Sequence, residues 1–309
     1  MFAEPSVQNA FSVDVEDWYQ VEAFAGSIPR RQWELLSSRV ESNLSRLLDL
    51  LAQHRVSATF FILGWIADRH PGLVRRIAAA GHEIASHGYG RITVNKQTAA
   101  EFRDDLICSK AILEELTGQE VIGYRAPSFS LGLSTPWAHA IIGECGYLYS
   151  SSVFPVQHGP YGVPNSPRFP YRIQPNVVEI PVSSIRLFGY SLPGPGGGFF
   201  RLYPYALSRW AMQRLNRDEG ASALYYCRLW EIDPEQPKAT DTPLHSRTRH
   251  YLNLGKTLHR IEQLLKEFRW GRIDDIFAHE IFGGSQSVTG AVALAEDLNN
   301  GPRLLTQPV

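Results

Sequence analysis

Short apolar runs alternate with amphipathic stretches along the first half of this chain, and that alternation limits the fold more than any other feature. Val56 to Leu63 (Val-Ser-Ala-Thr-Phe-Phe-Ile-Leu) carries no charge, the mark of a strand buried on both faces. Before it, Val40, Leu44, Leu47, Leu48 and Leu51 recur at three- and four-residue spacing, which predicts a helix over 40–54. Further strands are expected over 11–15, 82–86, 121–124 and 147–153, with helices over 98–116 and 135–145 between them. Pro71 opens another helix that runs to Ala80, and Gly81 ends it. Strand–helix repetition of this kind predicts an α/β fold with a parallel sheet. Downstream, 154–171 and 192–198 read as Pro- and Gly-rich loops. A helix is expected over 205–215, a strand over 223–232 and an amphipathic helix over 251–268. No linker separates two cores, so the expectation is one domain over 1–309, with its core at about 9–281 and a tail at 284–309.

Composition narrows the function classes. The chain has 309 residues, 30 Lys+Arg and 31 Asp+Glu, a net charge of -1. A protein that coats nucleic acid needs a basic surface, so no nucleic-acid partner is expected. The bases divide unevenly, 25 Arg to 5 Lys. Cys108, Cys145 and Cys227 lie far apart, forming neither a disulfide framework nor a Cys-x-x-Cys zinc motif, which fits a reducing compartment. The first eleven residues carry Glu4 and no long apolar run, and no stretch reaches the roughly 18 apolar residues of a membrane helix. A cytoplasmic protein with no transmembrane segment is expected.

Three strand ends hold chemistry-bearing residues. Asp14-Val15-Glu16-Asp17-Trp18 puts three carboxylates at the end of a buried strand, where they need partners or a metal. The strand period places Asp14 and Glu16 on one face. Ser86-His87-Gly88-Tyr89 follows a second strand, and Tyr124-Arg125-Ala126-Pro127-Ser128-Phe129 a third. An arginine there can orient a carboxylate by a forked contact. Gly196-Gly197-Gly198 lacks the Lys-Ser/Thr of a nucleotide loop. His82 reads as a packing residue.

The order of these segments resembles the polysaccharide deacetylases of the carbohydrate esterase type. Phe11-Ser12-Val13-Asp14-Val15-Glu16-Asp17-Trp18, Gly196-Gly197-Gly198-Phe199-Phe200-Arg201, Trp230-Glu231-Ile232-Asp233-Pro234 and His250-Tyr251-Leu252-Asn253-Leu254 look most like the cytoplasmic subgroup found with exosortase-linked exopolysaccharide operons. The resemblance spans roughly 9 to 281. It implies a deformed (β/α) barrel of about seven parallel strands and metal-assisted hydrolysis of the amide of an N-acylated sugar. Carried over, Asp14 matches the general base, Arg125 the arginine that orients it, and His87 the first metal histidine. Asp17 or Glu16 matches the metal carboxylate. The resemblance also implies a carbohydrate or other N-acyl small-molecule substrate. Trp18, Tyr89, Pro127, Phe129, Arg201 and Trp230 lie in or beside the motif segments and are candidate substrate contacts.

Two histidines of the pattern are missing. The family motif is Ser-His-x-x-x-His, yet here Arg91 stands four residues after His87. Arg228 stands where the proton-donating histidine belongs. Arginine has no free lone pair and, with a pKa above about 12, stays charged, so it neither ligates a metal nor serves as a good general acid. A zinc-like divalent metal is therefore doubtful. Three readings stay open. A substitute ligand such as His158, or Asp17 with Glu16, completes a weaker metal site. Alternatively, Arg91 supplies fixed charge in the metal's place. Or the protein is an inactive relative that binds a glycan or a partner.

Overall fold

The computed structural model describes residues 7–157 and 162–283, so His158 and the tail at 284–309 lie outside the described residues. The strands are β1 (Gln8–Val15), β2 (Thr59–Ile62), β3 (Glu83–Ser86), β4 (Gly123–Tyr124), β5 (Tyr149–Ser150), β6 (Tyr171–Gln174), β7 (Val177–Glu179), β8 (Ser184–Leu187), β9 (Tyr190–Pro193), β10 (Leu224–Arg228) and β11 (Arg269–Gly271). The main sheet runs in the order β10-β1-β2-β3-β4-β5-β7-β6. Every neighbour from β10 to β7 is parallel, which makes seven parallel strands, and β6 closes the edge antiparallel. Ala10 pairs with both Leu224 and Gly271, so β11 lies beside the start of β1 on the flank opposite β10.

The sheet curls, and the β8–β9 hairpin spans its open side. The Ser183 hydroxyl accepts from the Leu224 amide at 2.7 Å, and Gly196 bridges to Tyr226. The result is the expected deformed (β/α) barrel.

The period of two along a strand explains which residues meet inside. Ala10, Phe61, Ala85, Tyr149 and Leu224 form a small inner cluster, while Phe11, Val13, Phe60, Ile62 and Ile84 pack outward into the larger core. Continuing the inward alternation along β1 and β10 brings Ser12, Asp14, Tyr226 and Arg228 to the inner side near the C-terminal ends of the strands.

The outer layer consists of α1 (Val40–Gln53), α2 (Gly64–Arg69), α3 (Pro71–Ala79), α4 (Ala99–Thr117), α5 (Ala138–Glu144), α6 (Gly197–Leu202), α7 (Tyr205–Gln213), α8 (Leu244–Tyr251) and α9 (Leu254–Glu267). In α1 the buried residues Val40, Leu44, Leu47 and Leu51 form the stripe read from the sequence. Thr98 starts α4 with a capping box to Glu101, and Gly118 ends it at φ 66°.

Three expectations are corrected. The strand expected over 223–232 ends at Arg228, and 229–232 is a 3₁₀ turn, because the Glu231 carboxylate reaches back to the Arg228 amide at 3.0 Å. The helix expected over 251–268 starts at Leu254: Asn253 is left-handed at φ 56°, and Arg201 holds the Leu252 carbonyl at 3.0 Å. The loop after Phe154 is not wholly superficial, for Phe154 and Val156 are buried. Among the described residues, no helix is long and apolar enough to cross a membrane.

Candidate active site

The site is built from three strand ends and two loops. Asp14 and Arg228 are direct partners in the β1–β10 register. Arg125 is fully buried. Its Nη1 donates to Asp14 Oδ1 at 2.8 Å and to the Ser12 hydroxyl at 2.9 Å; its Nε and Nη2 donate to the Ser151 carbonyl and hydroxyl. The guanidinium lies 3.9 Å from the Phe61 ring centroid. With so many partners, Arg125 fixes the Asp14 carboxylate rather than moving with a ligand.

Glu16 sits at the centre of a second cluster. Its Oε1 receives Arg91 Nε at 2.9 Å and faces His87 Nε2 at 3.1 Å. Its Oε2, 3.8 Å from Arg228 Nε, has no hydrogen-bond partner among the described residues. Burial works to raise the Glu16 pKa, but the Arg91 charge outweighs it with help from His87 and Arg228, and the carboxyl is held at about 2, down from 4.5. On the other side of its ring, His87 faces the Arg125 carbonyl, with Nδ1 at 2.8 Å. A carbonyl accepts, so Nδ1 carries a hydrogen.

The loop that carries Arg91 is held by a residue the sequence did not single out. The Asp105 carboxylate accepts the Tyr89 amide at 3.0 Å and the Gly90 amide at 3.3 Å. Gly88 turns the chain at φ 74°, and a Cβ there would lie 2.5 Å from that same carboxylate. Arg91, Ser128 and Phe129 take left-handed φ values of 55°, 59° and 54°, each at a cost on the order of 1–2 kcal/mol. Such a concentration of strained backbone is common at ligand clamps.

Above this layer lies a cleft of about 570 Å³. Phe129, Phe154, Phe199, Tyr226 and Trp230 supply aromatic wall, and Arg91, Arg228 and Arg249 face it with charge. Asp14, Glu16 and His87 are nearly inaccessible and are not part of the wall. Trp230 stacks on His250, with centroids 4.1 Å apart. Burial, with Arg201 and Arg228 nearby, holds His250 down to about 3, so it is neutral near pH 7, donates its Nε2 hydrogen to Gln236 Oε1 at 2.8 Å and has no imidazolium proton to give as an acid.

Several candidates lie elsewhere. Asp17 points to the start of α1: its carboxylate accepts the Arg39 amide at 3.0 Å, the Trp18 amide at 2.9 Å and the Ser38 hydroxyl. Burial raises its pKa despite those bonds. Of the two acids left open for the metal carboxylate, Glu16 is the one against His87. Trp18 is a core residue whose indole donates to the Ser37 carbonyl. The Tyr89 hydroxyl binds Asp68, on a different surface. Pro127 is buried at the start of a 3₁₀ turn. Arg201 touches the cleft, but its Nη1 holds the His250 carbonyl at 2.7 Å and its Nε holds Glu231 at 3.1 Å, so it braces α6 against α8. Phe129, Trp230 and Arg228 remain on the cleft. Tyr226, Arg249 and His250 join them without having been assigned a role; the inward period of β10 signals the first.

The donor set does not fit a divalent metal. Such an ion between Glu16 and His87 would stand beside the Arg91 guanidinium. Repulsion there is about 4 kcal/mol per unit charge at 4 Å and an effective dielectric of 20. No group of three or more His, Cys, Asp or Glu is arranged to hold a metal among the described residues.

A curled parallel sheet with a cleft at the strand C-termini defines a class of barrel-like proteins that host many chemistries. Comparison narrows the class. Residues 36–148 match the polysaccharide deacetylase family model, and residues 151–278 match a domain of unknown function, DUF3473. The chain thus joins a segment similar to polysaccharide deacetylases to a segment matching DUF3473. It is 42% identical over 82 residues to a peptidoglycan-N-acetylglucosamine deacetylase of Bacillus cereus, covering 26% of this chain and 30% of that protein. It is also 42% identical over 82 residues to a chitooligosaccharide deacetylase of Bradyrhizobium, covering 26% of this chain and 37% of that protein. The matches thus span about a third of these curated relatives. A crystal structure of a putative polysaccharide deacetylase from Mycobacterium smegmatis aligns with a TM-score of 0.56 at 22% identity, covering 100% of this chain and 96% of that one, a likeness of fold.

Proposed function

We propose that this chain is a polysaccharide-deacetylase-like protein that binds a carbohydrate in the aromatic cleft and works without the family's metal centre, Arg91 and Arg228 holding positive charge where ligand and acid histidines are expected. The observation that carries this reading is the cation-saturated Glu16: Arg91 at 2.9 Å, His87 at 3.1 Å and Arg228 at 3.8 Å leave no place for a dication beside it. The five aromatic side chains of the cleft suit the C–H faces of a sugar ring. A role in exopolysaccharide biosynthesis inside the cell, as a single-domain protein, follows from the motif resemblance and belongs to the same proposal.

The test pairs metal analysis with binding. The chain purified and offered zinc should hold well below one equivalent and still bind an N-acetylglucosamine oligomer. Stoichiometric zinc bound through Glu16 and His87 would overturn the reading. A second reading, retained amide hydrolysis, is favoured by the Asp14–Arg125 pair, whose 2.8 Å contact leaves a base fixed in place. Turnover of an N-acetylglucosamine oligomer that disappears in Asp14→Asn would establish it.

A further inference from the structure

The charges around the cleft do not cancel locally. Arg91 is matched by Glu16 at 2.9 Å and Arg201 by Glu231 at 3.1 Å, while Glu22, the acid on the cleft wall, is taken by Lys96 at 2.7 Å. Among the described residues, Arg228 has no carboxylate of its own. Its Nε is 3.8 Å from Glu16 Oε2 and its Nη1 3.7 Å from Glu231 Oε1, both acids already bonded to another arginine. Its guanidinium makes no hydrogen bond among the described residues, though 19% of the side chain is exposed, and that part faces the cleft. The Tyr226 ring, 5.6 Å away, limits its freedom. On the same wall the Trp230 indole N–H is buried without a hydrogen-bond partner among the described residues. Arg249 is exposed at the rim. A poorly hydrated guanidinium fork and a spare indole donor are unsatisfied until an acceptor arrives, and a forked guanidinium is shaped for a carboxylate or an oxyanion ester.

We propose that the cleft selects a sugar carrying an anionic substituent, a carboxylate, sulfate or phosphate, with Arg228 as the fork that holds that group and Arg249 adding attraction at the rim. This rests on the carbohydrate reading above and adds to it the charge of the ligand. The aromatic wall takes the ring, and the surplus cation decides which ring is kept. A neutral sugar would leave the Arg228 donors unpaired in a partly closed cleft.

Calorimetric titration of the full chain tests this with four probes: a tetrasaccharide alternating N-acetylglucosamine and glucuronate, its sulfated form, a neutral N-acetylglucosamine tetramer, and inorganic sulfate. The anionic oligomers should bind on the order of tenfold or more tightly than the neutral one, and the stronger of the two names the anion. Arg228→Gln should collapse that ratio to within about twofold. The exposed Arg249→Gln, which has no packing to lose, should lower it a few-fold and steepen less with salt. Equal affinity for neutral and anionic oligomers overturns the inference and leaves the carbohydrate reading standing, as does a preference that survives both substitutions. Sulfate binding that is lost in Arg228→Gln, with no oligomer bound, keeps the anion site and removes the carbohydrate reading. No binding of any probe overturns both.

Discussion

Two buried glutamates at opposite ends of the same sheet behave in opposite ways. Glu16 lies beyond the C-terminal end of β1 and is held at about 2. Glu83 is the first residue of β3. Burial, then the nearby Asp274 charge, pushes it up to about 8 from 4.5, although Thr59 and Tyr149 donate to it. Desolvation is complete in both places and opposes charge in both. What differs is company. Glu16 has Arg91, His87 and Arg228, whereas Glu83 has neutral hydroxyls and another acid. Burial alone therefore says nothing about whether a carboxylate in this barrel is charged; the cations assembled around it decide.

Breaking the charged end should cost most. Arg125→Ala strips Asp14 of its partner and opens a cavity beside Phe61, and should destabilise the chain by about 3–5 kcal/mol in urea unfolding. Glu16→Gln leaves Arg91 and Arg228 without the charge that joins them, a loss of about 2–4 kcal/mol at pH 7. Because the folded pKa of Glu16 lies below its unfolded value of 4.5, its contribution is present above 4.5 and fades as pH falls through about 2. The gap between parent and variant should therefore close on acidification; a gap independent of pH would contradict the assignment. Glu83→Gln sharpens the contrast. With a folded pKa raised to about 8, the protonated acid favours the fold below 4.5, and that advantage is lost as pH rises through about 8. The variant should lie closest to the parent below pH 4.5 and gain on it steadily as pH rises towards about 8 in the same assay. The smallest effect is expected at Asp17. Asp17→Ala removes acceptors at the start of α1 and should cost about 1 kcal/mol while glycan affinity in the cleft stays as it was, because this carboxylate faces away from it.

The sequence made the alternation legible because amphipathic spacing and apolar runs survive in any context. It made strand lengths less so. Expected strands at 121–124 and 147–153 shrink to the two-residue β4 and β5, since curvature limits how far neighbours can stay paired. Helix α8 was missed because its residues are mostly polar and only His250 is buried. At the site, the period of two put Asp14 and Glu16 on one face, and that rule, rather than motif order, separates Glu16 from Asp17. Nothing in the sequence announced that Trp18 would face the core, that Arg201 would spend its donors on backbone carbonyls, or that Asp105 in α4 would hold the loop of Arg91. Those facts depend on long-range packing.

The register that seats Asp14 beside Arg228 also sets a schedule for assembly. During synthesis the first strand emerges long before the residues of β10 and β11 that flank it, Leu224 to Arg228 and Arg269 to Gly271. Until they arrive β1 has one neighbour, β2, and an unpaired edge of the kind that recruits other strands. Contacts so distant along the chain are slow to form. The nascent polypeptide must therefore keep its opening strand unfinished through most of translation. Truncation before β10 should yield an aggregation-prone fragment rather than a smaller working protein.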